Sequence, residues 1–432
     1  MTQKKTVNKN YRYYRDQSWS CTGCGKCCTM WDIPVTKEEK KRLEKLIIPG
    51  FDFKNEDFFL PMRKNSNLFL IRKKNNQCIF LDTDGLCIIH KLHGEAVKAL
   101  ACRLYPFHIL KWQDGVISVS YRFDCTAVSS NNGSKISKQE KEIGHFVSEL
   151  TKNAQRSTTV YNKKISPPLK NLRTLALSYK DIIFDDKFDL NIRLYYASTL
   201  VDFHEIPEHV DFIMKMNPEF RHDTLKYLRE RGNDFRYVIE SAEPPDKVLN
   251  MVFSYILSGY ARVDEETSSG ILFSGRIKRA YSILKFITGS GSLKKLSKDY
   301  PDTYKIPIIK TMEKSILEWD AKEILKRYTA VQLEAMHFCG NPGLNLTFEE
   351  GIRHLIMFIP VTIAIASLHA AARQKKSDYQ TLFISRDDMA SAVRITDHTF
   401  YHSPFFKLRH VKKMIKWMLN EKKFPSILKL IS

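Results

Sequence analysis

The residues with the clearest chemical potential are four cysteines within eight positions, Cys21, Cys24, Cys27 and Cys28. The first three repeat at the Cys-x2-Cys spacing that begins a bacterial ferredoxin loop, where the thiolates point at one metal centre. Glycines at positions 23 and 25 remove the Cβ atoms that would prevent the backbone from curling around a metal. This stretch therefore predicts a metal-binding loop.

The adjacent pair Cys27-Cys28 predicts two different roles for its thiols. Neighbouring side chains in an extended segment point to opposite sides of the chain. We therefore expect that the two thiols do not bind the same ion, and that one of them has another task.

Four further cysteines lie downstream, at Cys78, Cys87, Cys102 and Cys125. Eight of the nine cysteines thus fall within residues 21–125, and such a concentration requires a chemical explanation. Residues 1–20 contain no apolar segment that would send the chain through a membrane, so we expect a cytoplasmic protein without a disulfide framework. In that compartment the pattern indicates metal binding. The isolated Cys339 is expected to be a small buried hydrophobe.

Both zinc and iron–sulfur chemistry fit this set of thiols. Structural zinc takes four thiolates in a closed tetrahedron, and iron–sulfur clusters also bind soft thiolates. The third cysteine at the same spacing favours a 4Fe-4S cluster, although the Cys-x3-Cys-Pro ending of a ferredoxin loop is absent. The two alternatives stay open from the sequence.

Histidines and cations in the same region are secondary candidates. Histidine can replace a thiolate on zinc or iron, but we expect His90, His93 and His108 to be structural or solvent-facing. Lys26 and Arg103 either offset the negative charge of a thiolate cluster or are ordinary surface charges.

Four segments together resemble the CxxCxxCC zinc- or iron-chelating (YkgJ-type) cysteine-cluster family. They are Cys21–Cys28, Gln77–Leu81, Gly85–His90 and Leu100–Pro106. The resemblance covers residues 18–128 and implies that the eight cysteines from Cys21 to Cys125 supply the metal ligands. The segment Cys27-Cys28-x-x-Trp31-x-Ile33 is also similar to the flagellin lysine N-methylases, which are long bacterial members of this family.

That second resemblance implies methyl transfer from S-adenosylmethionine to a lysine of flagellin or of another protein. The sequence has no glycine-rich turn after a strand and no Cys-x3-Cys-x2-Cys loop, so no S-adenosylmethionine site and no catalytic residue is assigned. The alternative is a non-catalytic module, stabilised by zinc or a cluster, whose helical part binds a partner protein.

Short strands are expected to position the downstream cysteines. Phe58–Met62, Leu68–Arg72 and Cys78–Leu81 have the composition of strands, and the turn at Asp82–Gly85 predicts a hairpin. Because both flanks of this turn carry a cysteine, the hairpin should bring Cys78 and Cys87 close together.

Helices are expected on either side of these strands. Thr36 and Glu39 form a capping-box pattern that begins a helix through Lys45, with Leu43, Leu46 and Ile47 on one side. A second helix is predicted over 96–104, which carries Cys102 and is stopped by Pro106. A strand over 116–121 then leads to Cys125.

The polar run 129–134 predicts a domain boundary. Beyond it, apolar residues recur three and four positions apart. The predicted helices are 138–150, 169–179, 191–203, 246–261, 277–287 and 309–328.

Two further helices are predicted near the C-terminus. The apolar run 355–368 contains Pro360 and is too short for a bilayer, so we expect a buried core helix and no transmembrane segment. From Phe405 onward, Val411 and Ile415 share an apolar face with nearby methionines, surrounded by basic residues. We expect this face to dock on its own domain.

The sequence therefore predicts an α+β protein: a basic tail over 1–17, which we expect to be disordered, a cysteine-rich metal-binding domain with short strands over 18–128, and a mostly helical domain over 135–432, which divides into one or two subdomains. The chain has 432 residues and a formal net charge of +21. This charge favours an acidic partner, but no zinc-finger, homeodomain or RNP motif directs it toward nucleic acid. A protein substrate or protein partner is the expected binding partner.

Overall fold

The computed structural model of the chain describes residues 11–62, 67–75, 77–150, 156–217, 219–260, 284, 308–374 and 381–431. Short strands in small sheets occupy most of the N-terminal region, and helices dominate the rest. The predicted α+β class is therefore confirmed.

The N-terminal strands are β1 (Tyr11–Arg12), β2 (Ser18–Trp19), β3 (Pro34–Thr36), β4 (Phe59–Pro61), β5 (Leu68–Ile71), β6 (Lys73–Lys74), β7 (Gln77–Cys78), β8 (Phe107–Lys111), β9 (Ile117–Tyr121) and β10 (Ser134–Lys135). The helices among them are α1 (Lys26–Met30), α2 (Lys37–Leu43), α3 (Ile88–His93), α4 (Leu100–Leu104) and α5 (Thr126–Ser129). Most of these elements are shorter than two helical turns, so their positions depend on side-chain packing.

The C-terminal helices are α6 (Glu140–Leu150), α7 (Leu169–Phe184), α8 (Leu190–Phe203), α9 (Val210–Met214), α10 (Phe220–Glu240), α11 (Lys247–Tyr260), α12 (Ile308–Glu313), α13 (Trp319–Ala335), α14 (Phe348–Gln374), α15 (Arg386–His402), α16 (Arg409–Met418) and α17 (Phe424–Lys429). Two strands of this region, β11 (Ser315–Leu317) and β12 (Leu382–Ile384), pair with each other in parallel orientation. The helices α6, α7, α8 and α11 confirm four of the predicted helices to within a few residues.

Four small sheets organise the N-terminal region, and one of them is the antiparallel pair of β2 and β10. Strand β5 lies between β3 and β4 and is antiparallel to both. Strands β6 and β7 form an antiparallel pair that places Lys73 opposite Cys78. Strand β9 pairs with β8 in antiparallel and with β1 in parallel orientation.

The pairing of β1 corrects one prediction. A disordered tail was expected up to residue 17, but Tyr11 and Arg12 pair with Ile117 and Ser118 of β9. The aromatic side chains of this segment pack against the large core, and Gln17 is fully buried. The expectation of disorder is therefore wrong for residues 11–17, because their aromatic side chains bury apolar surface.

The capping box at the start of α2 is confirmed, since the Thr36 hydroxyl accepts from the Glu39 N–H and the Glu39 carboxylate accepts from the Thr36 N–H. The predicted end of this helix is wrong. Helix α2 stops at Leu43, and Ile47 is 86% exposed instead of lying on the apolar face. Leu43 alone among the helical residues is fully buried.

The prediction of a single helix over 309–328 is also wrong. This segment contains α12, then strand β11, then the start of α13. Strand β11 pairs with β12, which lies more than sixty residues later in the chain, and this distant partner interrupts the helical pattern. The predicted helix 277–287 lies outside the described residues, apart from residue 284.

Helix α14 is the central helix of the C-terminal region and is buried along most of its length, as predicted. It is longer than its apolar run suggested, since it continues through Pro360 to Gln374. It is long and apolar enough to cross a membrane, with a mean hydropathy of 2.1 in its most apolar window, yet 89% of that window is buried inside the protein. Its surroundings are therefore those of a core helix.

Helix α16 confirms the predicted docking of the basic amphipathic segment. Val411, Ile415 and Met418 are buried on one face, while Arg409 and Lys413 are exposed on the other. The apolar face belongs to the large core of the protein.

Buried residues of the described chain form two separate cores. The small core includes Val35, Phe59, Phe80 and Ala99, and three of the cysteines pack against it. Phe107 is the first buried member of the large core, against which the aromatic residues from Tyr11 to Trp19 also pack, so the β8–β9 hairpin belongs to the helical part by packing. The change from one core to the other thus falls between residues 99 and 107, while the domain boundary at 129–134 stays a prediction.

Candidate metal centre

The predicted metal-binding loop begins with an irregular segment that contains Cys21 and Cys24 and ends in α1. Gly25 has φ +66°, a left-handed conformation that disfavours other residues. A Cβ atom on Gly25 would lie 2.9 Å from the carbonyl oxygen of Gly85. The loop therefore lies directly against the 82–85 turn, and this close approach requires a glycine.

Cys27 and Cys28 lie in the first turn of α1, so the premise that they occupy an extended segment is wrong. Successive side chains on a helix are separated by about 100°, not by the opposite orientation of a strand. Both thiols therefore line the same cavity.

The predicted hairpin places Cys78 and Cys87 close together, as expected. Cys78 ends β7, and Cys87 pairs across the turn with Leu81 before it begins α3. The turn itself is closed by a hydrogen bond from the Gly85 N–H to the Asp82 carbonyl oxygen, at 3.0 Å. Only the first residue of the predicted strand 78–81 is in regular strand conformation.

Cys102 lies in α4, but the predicted helix 96–104 is broken. Residues 95–97 form a 3₁₀ turn, and Lys98 and Ala99 are extended before α4 begins. The Glu39 carboxylate of α2 accepts a hydrogen bond from the Leu100 N–H at 2.7 Å and so caps this second helix. The break follows from this tertiary contact, which local helical periodicity does not report.

Five cysteines come together around one cavity of about 310 Å³. They are Cys27, Cys28, Cys78, Cys87 and Cys102. Apolar side chains such as Leu43, Ile71 and Phe80 form much of the remaining wall. A thiol-lined cavity with apolar walls is the environment that shields a metal centre from water.

Three of these thiols, Cys27, Cys78 and Cys102, have raised pKa values and are protonated when no metal is present. Burial raises the pKa of Cys78 to about 11 and the pKa of Cys102 to about 12. A hydrogen bond with Cys28, together with burial, also raises the pKa of Cys27. Metal binding at this cavity would therefore release protons.

The other three candidate cysteines lie outside the lining of this cavity. Cys21 is exposed, and the Cys24 sulfur lies 3.4 Å from the Thr126 hydroxyl oxygen. Cys125 packs against the large core, and burial raises its pKa to about 11. The structure thus brings five of the eight predicted site residues together and places Cys21, Cys24 and Cys125 apart from them.

The three histidines do not line the cavity, as expected. His90 is exposed, and the His93 ring nitrogen Nε2 lies 3.0 Å from the Ile47 carbonyl oxygen. The His108 ring packs edge-on against His337 at 4.6 Å, and burial lowers its pKa to about 4.

Within the described part of the chain, no three His, Cys, Asp or Glu side chains are grouped closely enough to hold a single metal ion. The comparison with protein families does indicate metal binding. Residues 20–137 match the model of the CxxCxxCC family, described as a "putative zinc- or iron-chelating domain". The N-terminal region is similar to this domain, and we refer to the matched residues as the CxxCxxCC domain. No curated protein and no solved structure matches the chain.

The cavity of the CxxCxxCC domain fits a thiolate-bound metal group in its chemistry. It offers sulfur donors, and two cationic side chains, Lys98 and Arg122, contribute to its lining. Lys98 lowers the pKa of Cys27 and of Cys102, although burial outweighs this effect. Lys98 is therefore placed to offset the negative charge of bound thiolates, and Arg122, which pairs with Asp124 at 2.8 Å, adds a second cation at the cavity wall.

The two cations proposed from the sequence lie elsewhere. Arg103 pairs with Glu149 at 3.3 Å and lies over the Phe146 ring. Lys26 adjoins Cys24: burial acts to raise the pKa of that thiol, but hydrogen bonds from Thr126 and the Lys26 backbone, together with the Lys26 charge, lower it. The cavity cations Lys98 and Arg122 were missed because neither is part of a cysteine motif.

A buried polar network connects the CxxCxxCC domain to helix α15. The Asp124 carboxylate accepts hydrogen bonds from the Tyr105 hydroxyl at 2.9 Å and from Arg122 at 2.8 Å. The His398 ring nitrogen Nδ1 lies 3.3 Å from the same carboxylate. Because Tyr105 and Arg122 also line the cysteine cavity, the network extends from the cavity into the helical region.

A second buried carboxylate adjoins this network. Asp397 accepts a hydrogen bond from the Phe123 N–H at 2.8 Å, and burial together with the Asp124 charge raises its pKa to about 7. No sequence pattern marks Asp397 and His398, which lie more than 270 residues after Asp124. Only the fold brings these groups together.

Proposed function

We propose that the CxxCxxCC domain holds a 4Fe-4S cluster, with Cys27, Cys78, Cys87 and Cys102 as ligands. The observation that carries the proposal is the convergence of cysteines from four separate segments on one cavity of about 310 Å³. The charge interactions among these four thiols also support a common site, since Cys102 is influenced by each of the other three.

The spacing of the thiols favours a cluster over a single zinc ion. Zinc binds thiolates at about 2.3 Å, so four ligands around one ion lie roughly 3.8 Å apart. Among the described residues no three such side chains are grouped closely enough for one ion, and the thiols instead line a cavity. A cluster contributes its own iron and sulfide atoms, so its ligands are spaced more widely than those of one ion.

Each element of the site has a role in this proposal. When bound, a 4Fe-4S cluster supplies one-electron chemistry at a potential that depends on charge, hydrogen bonds and exposure. Lys98 and Arg122 offset the thiolate charge, and the apolar wall excludes water. Cys28, the fifth thiol of the cavity, is not a ligand in this proposal and forms a hydrogen bond with Cys27. Ligation by Cys21, Cys24 or Cys125 stays a prediction from the sequence.

The decisive experiment is anaerobic purification followed by iron, zinc and sulfide analysis and a visible spectrum on one sample. We expect about four irons and four sulfides per chain, with broad absorption at about 400 nm. A colourless protein with one or two zinc ions would instead establish the alternative, a zinc-stabilised module that binds a partner through its helical part.

Serine variants identify the ligands. C78S and C102S should lose most of the iron and sulfide, because each removes one proposed ligand. C339S is the control, since Cys339 is fully buried but lies in the large core. C21S and C24S test the remaining prediction: loss of the cluster in these variants, with its retention in C78S, would reject the proposed ligand set.

The cytoplasm is the proposed location, since the nine cysteines are free thiols in the structure.

The proposal that the protein methylates protein lysines with S-adenosylmethionine rests only on the resemblance to flagellin lysine N-methylases. Its test is mass spectrometry of flagellin and other proteins from cells with and without the gene. Methyl-lysine that disappears on deletion and returns with the intact gene would support it.

A further inference from the structure

A second cavity, of about 450 Å³, lies on the helical part of the protein and shares no lining residue with the cysteine cavity. It lies between the beginning of α14, the beginning of α16 and the loop 162–164. The first turn of α16 lies at this cavity and no side chain caps it, whereas the first N–H groups of α14 are already paired with Val160, Tyr161 and Thr347. Helix N-termini favour bound anions, because their N–H groups lack partners within the helix.

Cationic side chains from separate parts of the chain converge on this cavity. They are Lys163, Lys164, Arg353, Arg409, Lys412, Lys413 and Lys416, and the carboxylates among them are Glu205, Glu349 and Glu350. Each carboxylate has a cationic partner: Glu350 pairs with Lys412 at 2.8 Å, Glu205 with Lys416 at 2.6 Å, and Glu349 with Arg353 at 3.1 Å.

Four cations remain after this pairing, namely Lys163, Lys164, Arg409 and Lys413. None of them has a carboxylate partner among the described residues. Like charges that gather on a concave surface repel one another and destabilise the folded chain. Bound negative charge would relieve this repulsion.

Arg353 shows that the cavity is a built site and not a patch of surface lysines. Its side chain is only 3% exposed. Its Nη2 atom donates to Asp202 at 2.7 Å and its Nε atom to Glu349 at 3.1 Å, but Nη1 has no hydrogen-bond partner in the described chain. A buried donor without a partner costs free energy, so this donor is available to a ligand that enters the cavity.

The three carboxylates of the cavity repel a bound anion less strongly than their number suggests. Glu205 lies beside Glu349, and burial together with this neighbour raises the pKa of Glu349 to about 7. The pair therefore carries less than two negative charges at neutral pH.

We propose that this cavity binds a small anion with two or three linked phosphate groups. The excess of four cations matches the charge of a diphosphate or triphosphate, and planar guanidinium groups such as Arg353 and Arg409 suit phosphate oxygens. The concave shape favours a small ligand over an extended membrane surface. This site is independent of the metal centre and goes beyond the function proposed above.

The test is isothermal titration of the metal-loaded full chain with inorganic tripolyphosphate and pyrophosphate at low salt. The double variant R409Q/K413Q removes two unpaired cations, and K37Q/K41Q on exposed α2 makes the same charge change far along the chain. We expect tripolyphosphate binding to weaken about tenfold or more in R409Q/K413Q and to stay within about twofold in K37Q/K41Q.

Thermal melting separates lost binding from lost folding. Without ligand, R409Q/K413Q should melt at the wild-type temperature or above it, since the change relieves repulsion. It should lack the stabilisation that tripolyphosphate gives the wild-type protein. Equal weakening in both double variants, or no tripolyphosphate binding by the wild type, would overturn the proposal.

Vesicles distinguish the source of the phosphate groups. We expect tripolyphosphate to bind the wild type in the absence of lipid, and phosphatidylglycerol vesicles not to displace it. Binding to these vesicles without binding of tripolyphosphate would assign the cations to a membrane surface and would also overturn the proposal.

Discussion

The guanidinium carbon of Arg122 lies 3.9 Å from the centre of the Trp31 ring, at the edge of the cysteine cavity. Arg122 also donates to Asp124, whose carboxylate is fully buried beside His398. The Trp31 ring packs edge-on against the same His398 at 4.9 Å. One arginine thus connects the thiol-lined cavity to a helix of the C-terminal region.

The variant R122M should destabilise the protein by about 3 kcal/mol, because it removes the cation that faces the buried Asp124 carboxylate. Chemical denaturation of the wild type and the variant measures this loss. The matched control is R103M, since Arg103 also lies over an aromatic ring, but its partner Glu149 is one-third exposed. R103M should lose about 1 kcal/mol or less. Equal losses of stability in the two variants would show that the burial of Asp124 does not determine how much stability R122M loses.

The variant G25A should weaken both folding and metal retention. A new Cβ atom would lie 2.9 Å from the Gly85 carbonyl oxygen, and the φ of +66° adds backbone strain. Together we expect a loss of about 3 kcal/mol in the free energy of unfolding.

The control for this variant is G50A, since Gly50 has φ +82° but open space around its Cα. Backbone strain alone should lower its free energy of unfolding by about 1 kcal/mol, and the variant should keep its metal. If G25A and G50A behave alike, the close approach of the loop to the 82–85 turn does not matter for the site.

The variant K98M should move metal uptake to higher pH. Lys98 lowers the pKa of the Cys27 and Cys102 thiols, so its removal makes their thiolates harder to form. We expect metal affinity near neutral pH to fall on the order of threefold. Metal titrations from about pH 6 to pH 8 measure the shift, with exposed Lys45 changed in K45M as the control. Uptake that moves to lower pH would contradict this role.

The buried imidazole of His204 should make the protein sensitive to acid. His204 is fully buried, and burial lowers its pKa from the usual 6.5 to about 3. The unfolded chain therefore takes up this proton below about pH 6.5, while the folded chain does not. Stability that is present above this pH is lost as the pH falls, by about 2 kcal/mol between about pH 7 and about pH 5.

The variant H204F should flatten this pH dependence, and an adjacent cavity of about 880 Å³ leaves room for the larger ring. Denaturation at several pH values measures the effect. The control H90Q removes an exposed histidine and should follow the wild-type curve. A difference between H204F and the wild type that does not change with pH would reject the imidazole as the cause.

Local sequence was sufficient wherever neighbouring residues decide the conformation. The capping box of Thr36 and Glu39 is made by groups three residues apart, so its pattern predicts the start of α2 directly. The Asp82–Gly85 turn likewise brings Cys78 and Cys87 together through contacts within ten residues. The burial of α14 follows from its apolar composition.

Local sequence was insufficient where a distant partner overrides periodicity. Strand β11 interrupts a helical pattern because β12 supplies its hydrogen bonds. The predicted helix 96–104 is broken where Glu39 of α2 caps Leu100. In both cases the sequence has apolar residues at helical spacing, but hydrogen bonds to a distant part of the chain determine the backbone conformation.

The sequence by itself predicted the chemistry of the N-terminal region, because eight clustered cysteines and their spacing indicate thiol-based metal binding without any coordinates. The tertiary structure alone decided which five thiols share a cavity and which cations, Lys98 and Arg122, face them. It also decided that Asp124 meets His398. Spacing along the chain reports residues that are close in sequence, whereas a cavity and a buried charge pair are made by residues that only packing brings together.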